Sequence, residues 1–202
     1  MHDLGVLPGG SNGIGSGIGP AGQVVGWCHD DRYGDRATLW RDDAALALGA
    51  PGRGESRAAA INAAGIIVGS ARAARGDWRA IRWHDDGQAA DLGTLGGSSS
   101  HACALNDAGL IVGAARDPGG LVRAVLWRDG QLVPLATGAG GESRARGINA
   151  AGQIVGSIAS AAGSRRACLW NALRATTLGT LPAHSGSEAT AINAAGQVVG
   201  GS

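Results

Sequence analysis

The sequence predicts an all-β fold: a β-propeller-like array of four-stranded antiparallel blades in 43–44-residue repeats, with an open or incompletely closed ring. Three observations predict it. A nine-residue stretch occurs five times, at 18–26, 61–69, 105–113, 148–156 and 192–200, and its first residues step by 43, 44, 43 and 44. Trp40, Trp83, Trp127 and Trp170 step by 43, 44 and 43, so a second feature marks the same period. Each period holds four short apolar runs separated by turn residues, which is the spacing of a propeller blade. The whole chain, 1–202, therefore reads as one repeat domain of five hairpin units.

The first element of each repeat is a strand of small residues: Ser56–Ile61, Ser100–Leu105, Ser143–Ile148 and Ser187–Ile192. Blades crowd together near a propeller axis, so alanines and glycines such as Ala58, Ala60, Ala145 and Gly147 mark this strand as the innermost. Asn-Ala-Ala-Gly or a near variant comes next. Asn suits the first position of a type I turn, and Gly the fourth, where positive φ is often needed. A Val/Ile-rich second strand closes on Gly, and a variable loop such as 114–120 leads on. The third strand is Arg36–Trp40, Arg79–Trp83, Arg123–Trp127 and Arg166–Trp170. Asp42-Asp43, Asp85-Asp86 and Asp129-Gly130 then mark a hairpin turn. The fourth strand reads as Leu-Gly-x-Leu, at Asp3–Leu7, Asp91–Leu95 and Thr177–Leu181, with looser copies at Leu46–Leu48 and Leu132–Leu135. Helix is excluded because Gly recurs every few residues and no apolar period of 3.6 is sustained.

Composition limits both core and partners. Gly is abundant at 37 residues, Phe is absent, and the core must come from Ala, Val, Ile, Leu and six Trp. All 17 basic residues are Arg and oppose 16 acids, leaving a net charge of +1 that argues against nucleic acid as a partner. No apolar run is long enough for a membrane span. Cys28, Cys103 and Cys168 are odd in number and lack short spacings, so they read as small buried thiols rather than disulfides or a zinc site. No metal or other cofactor is expected.

The Asp-Leu-Gly-Thr-Leu-Gly-Gly at 91–97, the Ile-Asn-x-x-Gly-Gln-Val-Val-Gly hairpin and the Ala-x-Leu-Trp strand together resemble the HAF repeat family over nearly the whole chain. That family comprises predicted extracellular repeat proteins named for a His-Ala-Phe tripeptide. Here Arg replaces the His in all four copies, and Thr38, Ile81, Val125 or Cys168 replaces the Phe. The resemblance implies an extracellular or cell-surface location and no particular catalytic residue or ligand. The N-terminal stretch MHDLGVLPGG itself has no basic and apolar signature of a signal peptide.

Several stretches tempt a chemical reading. Gly9–Gly15 looks like the Gly-rich turn of a dinucleotide site, but Pro20 and a strand come after it rather than a helix. His29-Asp30-Asp31 and His84-Asp85-Asp86 could be metal triplets, yet turn chemistry accounts for them. The Ser/His/Glu clusters at 98–101 and 184–188 lack a nucleophile elbow. Glu55 and Glu142 are repeat-equivalent and, with Glu188, could serve a hydrolase or lyase from a central mouth.

The candidate binding residues are Arg36, Arg79, Arg123 and Arg166. Residues i, i+2 and i+4 of a strand share a face, so each Arg lies on the side of its Trp. There they either pair with acids and carbonyls of a neighbouring blade or form a ring of guanidinium groups for an anionic glycan or protein carboxylates.

The expectation is thus a non-catalytic binding or structural repeat module, not an enzyme, with an unidentified glycan or protein as ligand; the alternative is the propeller-type hydrolase or lyase. Five Leu-Gly stretches and five hairpins stand against four Arg-Ala-x-x-Trp strands. A partial array that self-associates through its end blades is therefore expected.

Overall fold

The computed structural model describes residues 3–52, 54–84, 87–137, 141–159 and 163–202. All regular structure among them is strand. Four sheets are four-stranded antiparallel meanders, and each is one repeat. The first sheet is β1 (Gly10–Ile18), β2 (Val24–Asp30), β3 (Gly34–Arg41) and β4 (Ala44–Ala47). The second is β5 (Ser56–Ile61), β6 (Ile67–Arg72), β7 (Trp78–Trp83) and β8 (Ala89–Asp91). The third is β9 (Ser100–Leu105), β10 (Ile111–Arg116), β11 (Val122–Arg128) and β12 (Gln131–Pro134). The fourth is β13 (Ser143–Ile148), β14 (Ile154–Ala159), β15 (Arg165–Asn171) and β16 (Arg174–Thr177). A two-stranded fifth sheet pairs β17 (Glu188–Ile192) with β18 (Val198–Gly201).

The chain packs as two compact units, Met1–Gly93 with Ser99–Ala102, and Thr94–Ser98 with Cys103–Ser202. In the first, Val25, Leu39 and Leu48 meet Ile67, Ile81 and Trp83 in a core between the first two sheets. In the second, Leu126 and Leu135 meet Ile154, Ile158 and Trp170.

The Asn turn forms as expected. In its last copy, Gly196 donates to the Asn193 carbonyl at 3.0 Å, and Asn193 Oδ1 accepts from Gln197 N–H at 2.9 Å. The closing glycines have φ between 75° and 83°, as at Gly65 and Gly22. The hairpins joining third and fourth strands have positive φ at both central residues, Asp42-Asp43, Asp129-Gly130 and Ala172-Leu173, which is the type I′ geometry. Asp85 and Asp86 lie outside the described residues.

The Gly that ends Val-Val-Gly has a different task from the turn Gly. Opposite it the first strand shifts register, between Ala58 and Ala60 in β5 and between Ala145 and Gly147 in β13. This bulge drives a carbonyl, Arg57 O or Arg144 O, into the space a Cβ on Gly69 or Gly156 would fill.

One expected element is displaced. Leu-Gly-x-Leu is not the fourth strand; that strand runs before it, ending at Asp91 in the second sheet and at Thr177 in the fourth. Asp3 and Asp91 accept the N–H of Gly5 and Gly93 at 2.9 and 2.8 Å, and both glycines have positive φ, so the chain turns where pairing was expected. The Leu is retained as an anchor. Leu48, Leu92, Leu135 and Leu178 each donate their N–H to the Ala carbonyl of Arg-Ala-x-x-Trp, at 2.7 to 2.9 Å.

The two glycine roles separate in a substitution test. Gly152→Ala should cost about 1–2 kcal/mol from the left-handed penalty at φ 77°. Gly156→Ala should cost more, about 3 kcal/mol, because backbone rather than a movable side chain blocks the Cβ. Chemical denaturation of both variants checks the order; equal midpoints would show that the bulge yields readily.

Candidate binding cleft

The residues common to the repeats are used up by the framework. Four buried serines, Ser56, Ser100, Ser143 and Ser187, accept the N–H of Ala37, Ala80, Ala124 and Ala167 at 2.8 to 3.0 Å. Each of these bonds joins a third strand to the first strand of the next repeat. The Trp indoles reach the other way, from Trp40 to Gly5 O, from Trp83 to Gly49 O and from Trp170 to Ala136 O. The Asn side chains run along the second unit, with Asn106 Nδ2 on Asn149 O and Asn149 Nδ2 on Asn193 O, each at 3.1 Å.

The four arginines are held locally. Arg36 lies 3.8 Å from Asp30 and over the Tyr33 ring. Arg79 pairs with Asp91 at 3.1 Å. Arg123 pairs with Asp117 at 3.0 Å and donates to Gly141 O. Arg166 donates to Ser185 O at 2.8 Å. The Arg123 guanidinium beside Asp117 lowers that carboxyl below its ordinary value. Their partners are the ones strand alternation could not show: the last residue of β2, the Asp that opens Asp-Leu-Gly, and loop residues after the second and fourth strands.

The other candidates disperse as well. Gly9 and the strand β1 carry the Gly-rich motif, so no helix succeeds it. Asp30 Oδ1 accepts from Arg32 and Tyr33 N–H, an Asx turn, while His29 turns to Asp35. Among the described residues no cluster of His, Cys, Asp and Glu could hold a metal. The three glutamates sit in separate ion pairs, Glu55 with Arg72 at 2.8 Å, Glu188 with Arg146 at 2.9 Å, and Glu142 3.9 Å from Arg144. The cysteines are free, and burial raises the Cys103 thiol and pushes Cys168 up to about 11.

What sequence reasoning missed lies in the first unit. A cleft of about 370 Å³ is lined by Ser16, Trp27, Arg57, Ser70, Trp78 and His101. The Arg57 guanidinium sits over both indoles, 5.4 Å from Trp27 and 5.6 Å from Trp78, and Arg72 covers Trp78 at 5.0 Å. His101 lies 6.0 Å from Trp78, ring to ring, and its Nδ1 is 3.1 Å from Ser70 Oγ. Behind them Asp35, 6% exposed, receives Arg57 Nε at 2.7 Å and His29 Nδ1 at 3.0 Å. Neither a family model nor a curated protein matches the chain. Its own repeats are therefore the available comparison, and they single out this cleft. Trp27 stands where the later repeats have Ser70, Ala114, Ser157 and Gly201, and Trp78 where the other repeats have Asp35, Val122 and Arg165. The signal was present: six Trp, of which these two fall off the period.

His29 and Asp35 shift in opposite directions. The hydrogen bond to Asp35 raises the His29 pKa against a smaller desolvation effect. Burial pushes the Asp35 carboxyl up, but bonds from His29 and Arg57 outweigh it and lower the value. A raised His contributes stability that is complete below its unfolded value, about 6.5, and fades as pH rises through the folded value. A lowered Asp contributes above its own unfolded value, about 3.9, and fades as pH falls through the folded one. The midpoint difference between the native chain and His29→Gln should therefore be larger at pH ~5 than at pH ~8.5. Denaturation at both values checks it, and a pH-independent difference would mean the imidazole adds no charge to the pair.

Proposed function

We propose that this chain is a non-catalytic binding module, propeller-like in arrangement and working outside the cell or at its surface, with the Trp27–Trp78 cleft as its site. The observation that carries this reading is the division of labour among repeat-equivalent positions. Shared residues are consumed in bonds between repeats, while the residues that break the repeat gather around one open cleft with aromatic faces and a few polar groups. The resemblance to extracellular HAF repeats supports the compartment. Separate arginine partners for Glu55, Glu142 and Glu188 favour binding over a carboxylate-driven hydrolase.

An array carrying neutral glycans, acidic glycans and extracellular proteins tests the reading. The native chain should retain a ligand unchanged in mass, and Trp27→Ala with Trp78→Ala should lose it while keeping a cooperative unfolding transition. Consumption of the retained ligand would make the chain an enzyme. Loss only on stepwise removal of Arg36, Arg79, Arg123 and Arg166 would move the site to those arginines.

A further inference from the structure

We infer that the Trp27–Trp78 cleft takes neutral pyranose units of an oligosaccharide, an inference that rests on the binding-module reading and names its ligand class. Three features of the cleft select that chemistry. The first is indole surface. Trp27 and Trp78 are half-buried and line the cleft together with small residues, Ala58, Gly69 and Ala102, and with Arg57 over both rings. Partly exposed indole surface beside small residues suits a ring whose faces are C–H groups and whose polar atoms lie at its rim.

The second feature is charge. The cleft's cations are already matched, Arg57 by Asp35 at 2.7 Å and Arg72 by Glu55 at 2.8 Å. An anionic ligand at these guanidiniums would lie beside the Asp35 and Glu55 carboxylates that already neutralise them. A neutral ligand meets no such repulsion. It can meet the charge-matched Arg57 that sits over the two indoles.

The third feature is the polar edge. Ser70 Oγ and His101 Nδ1 lie 3.1 Å apart, His101 beside Trp78, and Ser16 also lines the cleft. Hydroxyls and an imidazole both donate and accept, as sugar hydroxyls do, so either orientation of a ligand O–H is satisfied. The volume, about 370 Å³, falls within the range of small-ligand sites, roughly 300–1,000 Å³. Because the cleft is open rather than enclosed, the neighbouring units of a longer saccharide can extend past it.

Titration of the full chain with cellohexaose, xylohexaose and maltohexaose, and with an oligogalacturonate hexamer, separates the possibilities by tryptophan fluorescence and calorimetry. At least one neutral hexamer should bind, with a change in indole emission, and the oligogalacturonate should bind more weakly or not at all. Trp78→Ala should lower the affinity about tenfold or more, while Arg174→Gln on the exposed strand β16 leaves it unchanged. If Trp78→Ala fails to fold, Trp78→Phe should retain part of the affinity and His101→Ala should reduce it. Preference for oligogalacturonate would overturn the neutral-sugar inference and leave the binding-module reading intact. Binding untouched by Trp78 and His101 substitutions, or no saccharide binding at all, would overturn it too. In that last case retention of a protein on the array would still uphold the module.

Discussion

The bond from the alanine N–H of Arg-Ala-x-x-Trp to a buried serine hydroxyl is the constraint on which this structure depends. It occurs four times, at Ala37, Ala80, Ala124 and Ala167, and it is what joins one repeat's sheet to the first strand of the next. The same alanine uses its carbonyl to hold the Leu just past the fourth strand. Both polar groups of one residue are thereby spent on tertiary contacts rather than on the sheet ladder. A side chain larger than Ala would push the serine strand away, and all four alanines are buried. An apolar residue in place of Ser would leave a buried N–H without a partner, which is costly in a chain with a thin core.

That thinness explains the glycines and the tryptophans together. Sheets built from Ala, Val and Gly approach closely, and the bulged first strand needs Gly opposite it because its carbonyl occupies the Cβ position. The core then lacks bulk, which Trp83 and Trp170 supply while their indole N–H groups reach carbonyls of the preceding repeat. Buried indoles seek such partners. Each Trp thus fills volume and ties two repeats.

Much of this was legible in the sequence. The hairpins, their Asn and Gly turn residues and the third strands fall where the period puts them, since turn stereochemistry and strand alternation are local properties. The fourth strand was not. Leu92 and Leu178 recur in an alternating Leu-Gly-x-Leu pattern, so pattern alone makes them strand; only the Asx turn from Asp91 and the left-handed Gly93 show that the chain leaves the sheet there. The arginine partners were also hidden, because Asp30 ends β2 and Asp117 lies in the loop after β10, and no period encodes how either returns to its arginine. Arg82 marks a local exception. It replaces the Leu found at 39, 126 and 169, and its Nε is buried without a hydrogen-bond partner.

The cleft was missed for a reason that reaches beyond this chain. Repeat analysis rewards residues that recur, and recurrence here reports framework: Ser, Ala, Asn, Gly and the periodic Trp are each tied to a bond or a close approach. A site that recognises one ligand needs a surface that the repeat does not impose. Trp27 and Trp78 meet that condition, since each sits at a position where the other copies carry smaller or charged residues. Placed on β2 and β7 of successive sheets, they are brought to one opening by the same serine bonds that fix the repeats, with Arg57 stacked between them. The periodic residues therefore determine the distance between the two indoles, and the aperiodic ones determine what that distance is used for.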